Sequence, residues 1–130
     1  MPIVLTHVDL NTCNILSDAN GHITKIVDWV EAENRPFGMS LFRVEGFLGG
    51  LTNSGYQHRP EHDEIREHFW DSLLKHLGYE GSPERSEMRQ KCQAMSDMGV
   101  LVWMLGSLQN EREVNRMTVG YLETLLRTNP

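Results

Sequence analysis

The residues of this chain whose types and spacing could do chemistry lie near its start. His7-Val8-Asp9-Leu10-Asn11-Thr12-Cys13-Asn14-Ile15-Leu16 is followed, after an Asn20-Gly21 turn, by Ile26-Val27-Asp28-Trp29. Taken bare, this text offers a carboxylate, an amide five residues on, and a second carboxylate across a hairpin. Phosphoryl transfer needs such an arrangement: one carboxylate to orient an attacking hydroxyl and accept its proton, and hard oxygen ligands to hold Mg²⁺ against the phosphates. Whether one ion could touch both Asn14 and Asp28 depends on the hairpin register. A three-residue loop sets Asn14 opposite Asp28 on one side of the ribbon, whereas a two-residue Asn20-Gly21 loop pairs Asn14 with Val27 and turns Asp28 to the other face.

The elements that must position these residues follow from changes of hydrophobic period. Residues 3–29 are short and β-like. The polar cluster Ser17-Asp18-Ala19-Asn20-Gly21 between two β-branched runs predicts a two-stranded hairpin. Such a hairpin is marginal alone in water, and the helices downstream are the expected support. Residues 30–60 are punctuated by Arg35-Pro36-Phe37-Gly38, Gly49-Gly50, Asn53-Ser54-Gly55 and Arg59-Pro60, which predicts loops around one short helix at 39–48.

Over 61–77, Ile65, Phe69, Trp70, Leu73, Leu74 and Leu77 recur at helical steps, with acids in the first turn, Lys75 and His76 in the last, and Gly78 as the stop. Ser82-Pro83-Glu84 then opens a second helix. Its stripe of Met88, Cys92, Met95, Val102 and Leu105 runs to about 108 and marks it as the longest and most buried. Val114, Met117, Thr118, Tyr121, Leu122 and Leu125 predict a third long helix ending near 127. The expected fold is therefore α+β, mainly α, a short β-hairpin packed on three long helices in a single domain spanning 1–130.

Composition bounds the function. The 130 residues include 12 basic and 18 acidic side chains, a formal net charge of −6 that argues against a nucleic-acid surface held by bulk electrostatics. At 39% hydrophobic and 23% charged, the chain has ordinary globular usage. The absence of a long apolar run and of a basic, apolar leader leads to the expectation of a cytoplasmic chain with no membrane partner. Cys13 and Cys92 lack metal or redox spacing and read as two reduced thiols.

The motif string resembles the aminoglycoside phosphotransferase family, also called choline-kinase-like small-molecule phosphotransferases, whose catalytic loop is like H-G-D-L-x-x-x-N-I-L and whose metal loop is like I-D-W. The Ala32-Glu33 and Pro36-Phe37-Gly38 stretches and the Phe69-Trp70 helix look like its fungal branch. The resemblance implies part of a kinase-like C-terminal lobe. It implies that Asp9 is the catalytic base, that His7 braces the catalytic loop, and that Asn14 and Asp28 hold Mg²⁺. It also implies a small-molecule substrate bearing a hydroxyl. Two departures accompany it. Val8 stands where the family has Gly, putting β-branched bulk beside Asp9. No G-x-G-x-x-G and no Val-Ala-Ile-Lys type segment occurs in the 130 residues, so the ATP site is at best half a site and kinase competence alone is not expected.

Three functional expectations follow. The chain is a truncated phosphotransferase-like piece of a larger assembly, or a stand-alone enzyme using Asp9, His7 and Asp28 for non-kinase acid–base chemistry such as an isomerisation, cyclisation or elimination, or a silent pseudokinase interaction module. All three predict apolar residues left bare on the β half and the Met-rich helix, and hence a homodimer or hetero-complex. A helical metal site drawn from His58 and His62, with Glu64 and His68 nearby, is interrupted by Pro60 and reads better as a solvated polar face. Glu111, Arg112, Glu113 and Arg116 read as surface ion pairs.

Overall fold

A computed structural model describes residues 1–53 and 55–109. The helix expected over 114–127, and the surface ion pairs expected at 111–116, lie outside the described residues. The order is β1 (Ile3–Thr6), a 3-10 turn (Thr12–Asn14), β2 (Ile15–Ser17), β3 (Ile23–Ile26), β4 (Glu33–Pro36), a 3-10 segment (Leu41–Phe47), β5 (Gly49–Thr52), β6 (Gly55–His58), α1 (His62–His76) and α2 (Arg85–Gln109). The strands form three antiparallel pairs, β1 with β4, β2 with β3 and β5 with β6, so the fold is α+β. Among the described residues no helix is long and apolar enough to cross a membrane.

The helices form where periodicity and caps place them. Asp63 and Glu64 sit in the first turn of α1, and Lys75 and His76 in the last, where the helix dipole favours each sign. The helix stops by a Schellman arrangement: Gly78 takes φ 84, the Tyr79 N–H bonds the Leu74 carbonyl at 2.9 Å, and the Gly78 N–H bonds the Lys75 carbonyl at 3.0 Å. At the start of α2 the Glu84 N–H donates to Ser82 Oγ at 3.2 Å, which satisfies a backbone donor that has no partner within the helix.

The core lies where α1 and α2 meet the 38–48 stretch. Met39, Phe42, Leu48, Trp70, Leu74, Cys92 and Val100 are its buried apolar residues. The approach is close enough to demand glycine. A Cβ on Gly99 would lie 1.8 Å from the Met39 carbonyl oxygen, so a backbone atom of the 38–48 stretch occupies the place of a side chain. On α2 the buried positions among the described residues are Cys92, Ser96, Gly99 and Val100, while Val102 and Leu105 of the predicted stripe are exposed, at 41% and 60%. The stripe slips because contact with a bare backbone selects small residues, which hydrophobicity alone does not flag.

Three sequence expectations need correction. The 39–48 helix is a 3-10 segment, and residues 30–60 hold β4, β5 and β6 where loops were expected. β4, Glu-Asn-Arg-Pro, has no apolar alternation; it is a strand because β1 pairs with it, Thr6 against Glu33 through Ile3 against Pro36, with proline at its end. Among the described residues, moreover, the β2–β3 hairpin does not pack on the helices as expected. Every residue of β3 is exposed, and Leu16 and Ile23 stand 47% and 65% open. Local turn chemistry holds it instead: Asp18 Oδ1 accepts from the backbone N–H groups of Asn20, at 2.8 Å, and His22, at 2.9 Å, while Gly21 takes φ 85.

Candidate functional site

The pairing of Thr6 with Glu33 closes residues 7–32 into one loop system, and the singled-out residues all lie within it. The hairpin inside has neither the two- nor the three-residue connection. Ile15 pairs with Ile26 and Leu16 with Lys25, then the register slips so that Ser17 meets Ile23. Asn14 consequently faces Val27, whose N–H donates to the Asn14 carbonyl at 2.9 Å, so the register that sets Asn14 opposite Asp28 does not occur.

Asp28 reaches the site by another route. It leaves the strand with φ 63, the only left-handed non-glycine among the described residues, a conformation an aspartate tolerates better than most side chains. That turn carries it into a cleft of about 200 Å³ lined by His7, Val8, Asp9, Asp28, Val30, Glu31 and Ala32. The two carboxylates therefore share a cleft through backbone reversal and not through strand register. Val8 has no positive φ, so its β-branched side chain meets no left-handed backbone penalty beside Asp9.

Each carboxylate is preceded by a backbone carbonyl held from elsewhere. His7, only 8% exposed, donates from Nε2 to the Val27 carbonyl at 2.8 Å, one residue before Asp28. Because a carbonyl only accepts, that nitrogen carries the hydrogen. The ring packs edge-on against Trp29, centroids 4.9 Å apart, and its buried Nδ1 has no hydrogen-bond partner. Arg43 donates from Nη2 to the Val8 carbonyl at 2.9 Å, one residue before Asp9, and the same nitrogen lies 4.0 Å from Asp9 Oδ1.

Asn14, buried, donates from Nδ2 to the Asp9 carbonyl at 2.8 Å and stands 3.5 Å from Asp9 Oδ2. It is beside Asp9 and outside the cleft lining. Among the described residues no group of three or more His, Cys, Asp or Glu could hold a metal. Of the two residues expected to hold Mg²⁺, Asp28 lines the cleft and Asn14 does not.

Sequence reasoning missed Arg43, which lies in the short helix expected over 39–48, far along the chain from Asp9. The available signal was a cation next to Phe42 in an otherwise apolar segment. His58 and His62, drawn as a helical pair, instead belong to β6 and α1 and stack, centroids 4.3 Å apart and 18° from parallel. His62 Nδ1 donates to the Arg59 carbonyl at 2.8 Å, which removes that nitrogen from ligation.

A larger cleft, about 470 Å³, separates α1, α2 and the 3-10 segment. Its charges are matched across its walls. Arg66 takes the Glu45 carboxylate with Nε and Nη2, both at 2.8 Å, and Arg89 takes that of Glu67 at 2.8 and 2.5 Å. These bonds hold the Arg66 guanidinium above its usual range and the Glu67 carboxyl below its own. With each guanidinium already engaged, the cleft reads as cement between elements, and the smaller one is lined by His7, Asp9 and Asp28. Compared with known protein families, characterised proteins and solved structures, the chain matches none.

Proposed function

We propose that this chain carries the proton-accepting and metal-holding side of a phosphotransferase site of the aminoglycoside-phosphotransferase, choline-kinase-like kind, acting on a hydroxyl of a small molecule. The observation that supports this reading is that Asp9 and Asp28 line one cleft while Asn14 is bonded to Asp9. Asp9, with its side chain 52% exposed, would orient a hydroxyl and take its proton. Asp28 and Asn14 would hold Mg²⁺, which supplies charge neutralisation at the phosphates, and His7 fixes the strand end from which Asp28 departs.

The glycine-rich loop and phosphate-binding lysine of such enzymes have no counterpart in the 130 residues, so these contacts come from a companion chain or another part of a longer product. Exposed Ile3, Leu5, Trp29 and Val30 around the motif half favour such a companion over a lone monomer. A second reading, non-kinase acid–base chemistry, draws on one observation: His7 lines the same cleft as both carboxylates with an unpartnered ring nitrogen.

Calorimetric titration of the chain with Mg²⁺ and with Mg²⁺-ATP, repeated on Asp28→Ala, tests the proposal. Binding that disappears in the variant supports the metal role. No heat with either ligand at millimolar concentration overturns it and leaves the acid–base reading.

A further inference from the structure

The geometry points to Arg43 as the positioning residue for Asp9, a role that rests on Asp9 being the reactive carboxylate. Asp9 sits on a loop whose side chain is half open to solvent, and a reacting carboxylate must be held far more narrowly than a free loop permits. Its two flanking carbonyls are both gripped: that of Val8 by Arg43 at 2.9 Å, and its own by Asn14 at 2.8 Å. The carboxylate is framed in the same way, with Oδ1 4.0 Å from Arg43 Nη2 and Oδ2 3.5 Å from Asn14 Nδ2.

Arg43 can serve as an anchor because it is itself immobilised. Its guanidinium lies 5.0 Å from the ring centre of Phe42 and 5.4 Å from that of Trp103, and Phe42 is 3% exposed. A planar cation against two aromatic faces is attracted by both and loses the freedom to swing. Since Trp103 belongs to α2, this side chain joins the core helix to the peptide preceding Asp9. Asn14 is local to the loop; Arg43 is what registers the loop against the body of the protein.

The test is amide hydrogen exchange on the whole chain by NMR, for the wild type, R43Q and R43K, with Mn²⁺ added as a paramagnetic probe. In R43Q exchange at Cys13 and Asn14, the loop amides that donate to Asn11, quickens about tenfold, as the loss of one charge-assisted anchoring bond predicts, while α1 keeps its wild-type rates. R43K, which restores the charge without the planar fork, recovers part of the protection. Before Mn²⁺ is added, the three-bond couplings about Asp9 χ1 report one rotamer in the wild type; in R43Q they average while those of Asn14 and Asp28 keep their wild-type values, which a merely stabilising contact would not produce, and in the wild type added Mn²⁺ broadens Asn14 and Asp28 together with the adjacent Asp9.

Unchanged exchange at Cys13 and Asn14 in R43Q, or acceleration spread equally to α1, overturns the inference. If R43Q does not fold, R43K decides, and wild-type rates at Cys13 and Asn14 in that variant overturn it. No Mn²⁺ broadening at Asn14 and Asp28 in the wild type counts against the metal role alone, and the exchange rates still judge Arg43.

Discussion

The helical body and the motif-bearing half of this protein are held by different forces. Around α1, α2 and the 38–48 stretch, burial dominates: Leu48 and Cys92 are fully enclosed, Leu74 is 1% exposed, and a backbone oxygen fills the space over Gly99. In the β1–β4 and β2–β3 ribbons the apolar side chains stand open, Ile3, Leu5 and Ile23 each above 60%. What orders this half is a set of backbone grips: His7 on Val27, Arg43 on Val8, Asn14 on Asp9 and Asp18 on its own turn. One region resists substitution through volume and the other through hydrogen-bond geometry, so the groups proposed to do chemistry lie where stability is lowest and positional control depends on few residues.

Three further measurements would break or sharpen this contrast. The largest effect is expected from Trp70→Ala, which empties a 5% exposed site in the body and should cost about 3–5 kcal/mol, read by urea unfolding. A loss below about 1 kcal/mol would show that the body is not the source of stability.

A smaller effect comes from His58, which joins the β5–β6 pair to α1. Burial first, and then the stacked His62, hold its imidazole below its ordinary value. Its folded value lies under the unfolded one near 6.5, so its contribution is complete above that pH and is lost as pH falls toward the folded value. The melting temperature should drop between pH 7.5 and 5.5, and His58→Phe should flatten part of that slope. Parallel slopes would remove His58 from the account.

The smallest belongs to Ile23→Ser on the open hairpin, where unfolding free energy should stay within about 0.5 kcal/mol of wild type. A loss of several kcal/mol would mean that this ribbon is covered in solution, and would erase the contrast between the two halves.

Where chemistry between near neighbours decides structure, the sequence alone was sufficient. The period of Phe69, Trp70, Leu73 and Leu74 with Gly78 behind it defines α1 almost to the residue, and the Ser82-Pro83-Glu84 start lies one turn from that of α2. The Asn20-Gly21 cluster places the hairpin, and the string from His7 to Asp28 marks the residues that the structure gathers within residues 7–32. These features depend on hydrogen bonds and side chains a few positions apart, which composition and spacing record.

The tertiary structure decided what depends on distant partners. β4 exists because β1 lies beside it; the hairpin register slipped at a bulge that no turn rule foretold; Asp28 entered the cleft through a left-handed residue and not across the ribbon. Arg43 met Val8 because the 3-10 segment packs under Trp103, and small residues on α2, not its most apolar ones, took the core because a bare backbone crosses there. Hydrophobic period records which side chains avoid water, but not which distant backbone they will meet, and in this protein those distant meetings set the geometry of the site.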